Sequence, residues 1–152
     1  MQATIRKSVT VTGVGLHTGR QVTMRLLPGD ADCGIIFKRI DLDGQPSITV
    51  AADSVIGAER ETVLGTKDFT IHTTEHLMAV LRVRAIDNLV IELDGPEVPI
   101  LDGSGLPFLK LVDEAGRQEQ GRPAPVFRPR EVMSVTAGGD FLLLLPAPDL
   151  KI

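Results

Sequence analysis

Apolar residues in this chain recur at every second position in one short run after another, and at helical spacing in only two places. Val22, Met24 and Leu26 alternate with polar neighbours. So do Ile5, Val9 and Val11 up to Gly13, and Ile48 with Val50. Ile35, Ile36, Phe37 and then Leu89, Val90, Ile91, Leu93 are denser runs of strand length. All of these read as strands. Thr62, Val63, Leu64 and Phe69, Thr70, Ile71 flank residues 65–68, the pattern of a short hairpin. Leu77, Val80 and Leu81 predict a helix over 74–84, with Thr73 and Thr74 as N-cap candidates. Leu111, Val112 and Ala115 predict a second helix, capped by Ser104 and stopped by Gly116. Strands and helices do not alternate strictly, so a parallel βαβ array is excluded. The expected fold is α+β: a two-layer domain of one mostly antiparallel sheet with two helices on one face.

The sequence has 152 residues, enough to close one core, with room for a piece of a second unit. Residues 117–125 are polar and carry Gly121, Pro123 and Pro125, so they read as a linker. Beyond them, 127–135 and 141–145 read as two strands around Ala137-Gly138-Gly139-Asp140. The expected division is 1–125 for the first domain and 126–152 for the incomplete start of a second unit. A net charge of -4 with neither Trp nor Tyr argues against a nucleic-acid partner. Cys33 is the only cysteine, so neither an internal disulfide nor a cysteine-based zinc site can form. The first residues lack the apolar run of a signal peptide, and no stretch is long enough to span a membrane. The default expectation is a cytoplasmic protein.

The chemistry-bearing stretch is Phe69-Thr70-Ile71-His72-Thr73-Thr74-Glu75-His76-Leu77. If a strand ends near Ile71 and a helix begins near Thr74, Glu75 and His76 share the first helical turn. A carboxylate beside an imidazole at such a junction can provide a general base and a metal ligand. The plainer reading is that Glu suits the helix dipole and that a lone His is structural. His72 to His76 also matches H-x-x-E-H, a metalloprotease pattern. That pattern needs both histidines on one helix and a further ligand, whereas His72 follows strand-like alternation and is expected before the helix. Gly13-Val14-Gly15-Leu16-His17-Thr18-Gly19 is followed by a strand, not a helix, so it is expected to be a tight antiparallel connection rather than a phosphate loop. His17 stands at its tip, where functional residues concentrate.

Four blocks occur in order: residues 13–19 just quoted, Thr74-Glu75-His76-Leu77, Ile86-Asp87-Asn88, and Pro96-Glu97-Val98-Pro99-Ile100-Leu101-Asp102-Gly103-Ser104. Together they resemble the N-terminal half of the UDP-3-O-acyl-N-acetylglucosamine deacetylase family, zinc hydrolases of lipid A biosynthesis in Gram-negative bacteria. The resemblance implies two similar domains with the active site between them, so that 126–152 would open the second. It implies His76 as a ligand of Zn2+, Glu75 as the general base, and His17 as a substrate-binding residue. The substrate implied is UDP-3-O-acyl-N-acetylglucosamine, whose N-acetyl group is removed by hydrolysis. The family's other two zinc ligands lie on an H-K-x-x-D helix, and that motif does not occur in this sequence. The chain alone is therefore expected to be inactive. The alternatives are a stand-alone non-catalytic domain, or half of a split enzyme completed by a second domain or chain. Two smaller departures stand out: Arg82-Val83-Arg84-Ala85 replaces the small residues and glycine common after the helix, and Gly65 stands where some members have Cys.

Overall fold

The computed structural model describes residues 1–149, so the last three positions of the expected 126–152 segment lie outside the described residues. Its main sheet has the order β2-β3-β9-β4-β5, formed by Val9–Val14, Gln21–Pro28, Leu89–Leu93, Ile35–Arg39 and Ser47–Thr49. Strand β9 is central, antiparallel to β3 and parallel to β4; the other pairs are antiparallel. One face carries Val22, Met24, Leu26, Phe37, Leu89, Ile91 and Leu93, all buried. The opposite face is polar at its centre, where Glu92 lies across from Arg25 on one side and Lys38 on the other. Helices α1 (Glu75–Val83) and α2 (Leu106–Ala115) cover the apolar face with Leu77, Val80, Leu81 and with Phe108, Val112, Ala115. Each such large side chain contributes about 1.5–3 kcal/mol by burial. The α+β class and the two-helix layer are as the periodicities predict.

The structure departs from the simple single sheet at its margins. The run from Ile5 to Val11 is not one strand. Strand β1 (Ala3–Ile5) leaves the main sheet and pairs antiparallel with β10 (Arg117–Glu119). Between β1 and β2, the amides of Arg6 and Lys7 donate to the carbonyls of Ala115 and Gly116. They thus satisfy C-terminal carbonyls of α2 that have no partner within the helix. Residues 117–122 are accordingly not a free linker. Gln120 donates from its side-chain amide to the Gly29 carbonyl and accepts from Asn88, and the Gln2 amide donates to the Arg122 carbonyl.

Three short strands, β6 (Val55–Gly57), β7 (Val63–Gly65) and β8 (Thr70–Ile71), form a second small sheet. Its β7–β8 turn, closed by the Thr66 amide on the Phe69 carbonyl, is the predicted hairpin. After Pro129 the chain forms a hairpin, β11 (Met133–Ala137) and β12 (Asp140–Leu144), whose strands, among the described residues, pair only with each other. The predicted strand over 127–135 starts only at Met133, paired with Leu144; an earlier start would set Glu131 opposite Pro146 and Pro129 opposite Pro148, and proline has no N–H to give a ladder. Gly138 and Gly139, at φ +58° and +96°, make the two-residue turn that the strand twist favours. Every described side chain of this hairpin is exposed.

Candidate active site

The site forms where β8 ends and α1 begins. His72 continues β8 by one residue and bridges in parallel to Glu97. Its amide donates to the Pro96 carbonyl, and its carbonyl accepts from the Val98 amide. Thr73 then bends the chain at φ +57°, a left-handed conformation that costs a β-branched residue about 1–3 kcal/mol. Helix α1 starts two residues later, at Glu75. The Thr74 hydroxyl does not cap the helix; it donates to the Thr62 carbonyl. At the second helix, likewise, Gly105 is the N-cap, and Ser104 just outside it accepts from the Leu106 amide.

Glu75 and His76 stand together, as predicted. Glu75 Oε2 accepts from the Thr62 amide at 2.9 Å, which fixes the carboxylate. Its Oε1 lies 3.6 Å from His76 Nδ1, too far for a hydrogen bond. His76 Nδ1 is buried and has no hydrogen-bond partner. An unmet buried nitrogen costs about 1–3 kcal/mol, and such exceptions in folded proteins call for a functional account. The imidazole as a whole is one-third exposed, so a ligand can reach it.

His72 does not join this pair. Its Nδ1 is 3.1 Å from Glu61 Oε1 and its Nε2 is 3.0 Å from Thr70 Oγ1. A carboxylate accepts, so Nδ1 donates to Glu61, and Nε2 shares a hydrogen bond with the threonine hydroxyl. Both nitrogens are engaged, and His72 lies outside the helix. The H-x-x-E-H arrangement is therefore not built.

His17 reaches the same neighbourhood from the β2–β3 connection. Its Nε2 is 3.8 Å from Glu61 Oε2, and Glu61 precedes the Thr62 whose amide holds Glu75. The connection is tight and antiparallel, as expected, with Gly15 and Gly19 closing the turn. Beneath it lies Glu97, fully buried. Its two oxygens accept from the amides of His17 and Thr18 and from the hydroxyls of Thr18 and Thr73, at 2.7–2.9 Å. A Cβ on Gly15 would collide with this carboxylate and with the Thr18 hydroxyl. That glycine is thus required by a close approach and not only by the turn.

Glu61, Thr62, Thr73 and Glu97 are the site residues that periodicity and motif spacing did not assign. The only signal for Glu97 was its place in the 96–104 block.

His17, Glu61 and Glu97 bring one possible ligand atom each within 4.8 Å of one another. Glu97 is a poor ligand here, since each of its oxygens already accepts two hydrogen bonds. A catalytic zinc takes three protein ligands. Among the described residues no such trio includes His76. Among the described residues His76 offers a partly exposed imidazole, and no complete three-ligand centre is built around it.

A family model described as UDP-3-O-acyl N-acetylglycosamine deacetylase matches residues 2–152. UDP-3-O-acyl-N-acetylglucosamine deacetylases from Syntrophotalea carbinolica and Myxococcus xanthus are 39% and 43% identical over 151 residues, 99% of this chain. One from Thermosynechococcus vestitus is 37% identical over the same span. The chain spans about half the length of these relatives: 49%, 48% and 53%.

Proposed function

The chain belongs to the UDP-3-O-acyl N-acetylglycosamine deacetylase family, and from that premise we propose that it carries the general base and one metal ligand of a zinc-dependent amide hydrolase. The reaction is removal of the N-acetyl group from UDP-3-O-acyl-N-acetylglucosamine, a step of lipid A biosynthesis in the Gram-negative cytoplasm. Among the described residues no helix is long and apolar enough to cross a membrane. The observation that carries the reading is the pair at the start of α1: an accessible imidazole with an unmet buried nitrogen, next to a carboxylate held by a backbone amide.

In this reading zinc, when bound, polarises the acetamide carbonyl and acidifies a water. His76 is the one ligand this chain supplies. Glu75 takes the proton of the attacking water at one carboxylate oxygen while the Thr62 amide keeps the other in place. His17, at the tip of the loop beside Glu61, contacts the substrate. The remaining ligands come from the half of the relatives that this chain does not span. That same shortfall favours completion by a further domain or chain over a stand-alone binding role.

The test is to join residues 1–152 to the remaining half of the Myxococcus xanthus relative and to measure acetate release and bound zinc. The joined protein should turn over UDP-3-O-acyl-N-acetylglucosamine, and the isolated chain should not. Glu75→Ala should keep the zinc and lose about 10²–10⁴-fold in rate. His76→Ala should lower zinc affinity. Turnover by the isolated chain, or a Glu75→Ala rate within a few-fold of the parent, overturns the assignment.

A further inference from the structure

Three separate segments meet at Glu97: the His17 loop, the Thr73 bend that launches α1, and the 96–101 stretch to which Glu97 belongs. The last runs between the other two. Its Pro96 carbonyl and Val98 amide bond to His72, and its Ile100 amide donates to the Val14 carbonyl. Gly13 packs against Pro99, and Gly15 leaves room for the Glu97 carboxylate. Four hydrogen bonds satisfy this buried carboxylate, and three of them come from the two residues at the tip that carries His17. The fourth comes from the hydroxyl of Thr73, two residues before Glu75; that hydroxyl is 2.9 Å from Glu97 Oε1 and also 3.2 Å from Glu61 Oε2. Thr73 is in a strained conformation that its surroundings must hold.

We propose that Glu97 is a positioning residue: its buried carboxylate clamps the His17 loop and the Thr73 bend together, and so sets His17 relative to the Glu75–His76 turn. Glu97 touches neither of the latter side chains and does no chemistry itself. The clamp acts through charge-assisted hydrogen bonds, which are about twice as strong as neutral ones. A glutamine of the same shape cannot replace it, because its NH2 would face donors where an acceptor is needed. The consequence for turnover rests on the deacetylase reading above; the structural coupling does not.

The two are separable by experiment. In the 152-residue chain, amide hydrogen exchange followed by NMR should show the His17 and Thr18 amides protected. Glu97→Gln should speed their exchange more than tenfold, and by a clearly larger factor than at Met24 and Ile91 in the core. It should also move the Glu75 and His76 amide resonances. If Glu97→Gln does not fold, Thr73→Val supplies the test. It should shift Glu75 and His76 while leaving His17 and Thr18 protected, and Thr73→Ser should restore the parent spectrum. Unchanged protection of His17 and Thr18 in Glu97→Gln overturns the clamp, as does a uniform rise in exchange across the core. So does a Thr73→Val spectrum identical to the parent at Glu75 and His76. In the joined enzyme, Glu97→Gln and Thr73→Val should lower kcat more than they raise KM, with Thr73→Ser near the parent. If the joined parent itself is inactive, the deacetylase reading fails, while the exchange pattern still decides the clamp.

Discussion

Glu97 also gives the molecule a measurable acid dependence. Burial acts to raise its pKa, but the amides of His17 and Thr18 and the hydroxyls of Thr18 and Thr73 outweigh it and lower the carboxyl from 4.5 to about 2. An unfolded chain takes up this proton near 4.5, and the folded one only near 2. The stabilisation is therefore complete above about pH 4.5 and is lost as pH falls through 2. Glu97→Gln should lower the urea midpoint at pH 7, and the difference from the parent should shrink when both are measured near pH 2. An equal difference at both pH values would mean that the carboxylate's charge is not what stabilises the loop. At Glu75 and His76 the equivalent measurement is functional: His76 keeps a buried nitrogen without a partner, and Glu75 accepts a hydrogen bond at one carboxylate oxygen only.

The two ends of helix α1 are held unequally: at the C-terminus the Ile86 amide donates back to the Leu81 carbonyl, while at the N-terminus Glu75 suits the dipole but no side chain caps. Thr74 offers no side-chain cap, and the helix terminates at Arg84, followed by Ala85 in the left-handed region at φ +48°. That is the position where the resemblance leads one to expect glycine, and a Cβ there is strained. Arg84 offsets part of the loss by a two-pronged contact to Asp113 of α2, at 2.7 and 2.6 Å, which ties the two helices at their surface. The helix otherwise depends on Leu77, Val80 and Leu81 packed on the sheet. Ala85→Gly should therefore stabilise the fold by about 1 kcal/mol, read as a higher urea midpoint with an unchanged slope. A lower midpoint would show that the chain entropy added by glycine exceeds the strain removed.

For the molecule as a whole, the boundary after the first domain is a proposal that protease can test. Strand β10 and the Gln120 and Arg122 contacts bind residues 117–122 to β1 and to the β3 end, so cleavage is expected between 124 and 130 and not earlier. The stable product should run to about residue 123 and keep both helices. Val126, Phe127, Val135, Phe141 and Leu142 are each at least 66% exposed, an apolar surface that a soluble chain on its own would not leave open. A lone hairpin is marginal in water. Truncation after 125 should lower self-association in light scattering without lowering the melting temperature of the remainder. If truncation unfolds residues 1–125, the hairpin belongs to the first domain and the proposed division is wrong.

Local periodicity was enough to determine the α+β class, the two helices, the β7–β8 hairpin, the antiparallel β2–β3 connection and the adjacency of Glu75 with His76. Each of these depends on residues within one turn or one strand, where spacing and side-chain type decide. The break between β1 and β2 was not legible, because what ends β1 is the unpartnered C-terminus of α2, more than a hundred residues away. Nor was the paired state of 117–122, whose polar, Gly- and Pro-bearing composition resembles a linker until Gln2, Gly29 and Asn88 are brought beside it. Thr73 and Thr74 looked like caps because that is their commonest local use; tertiary contacts redirected both hydroxyls, one to Glu97 and one to Thr62. Glu97 shows the division most clearly. Its sequence neighbours, Pro96 and Val98, say nothing of a buried charge. Only the folded chain brings two amides and two hydroxyls from sites 24 and about 80 residues away to one carboxylate. A charge is tolerated in a core only when such donors are already in place.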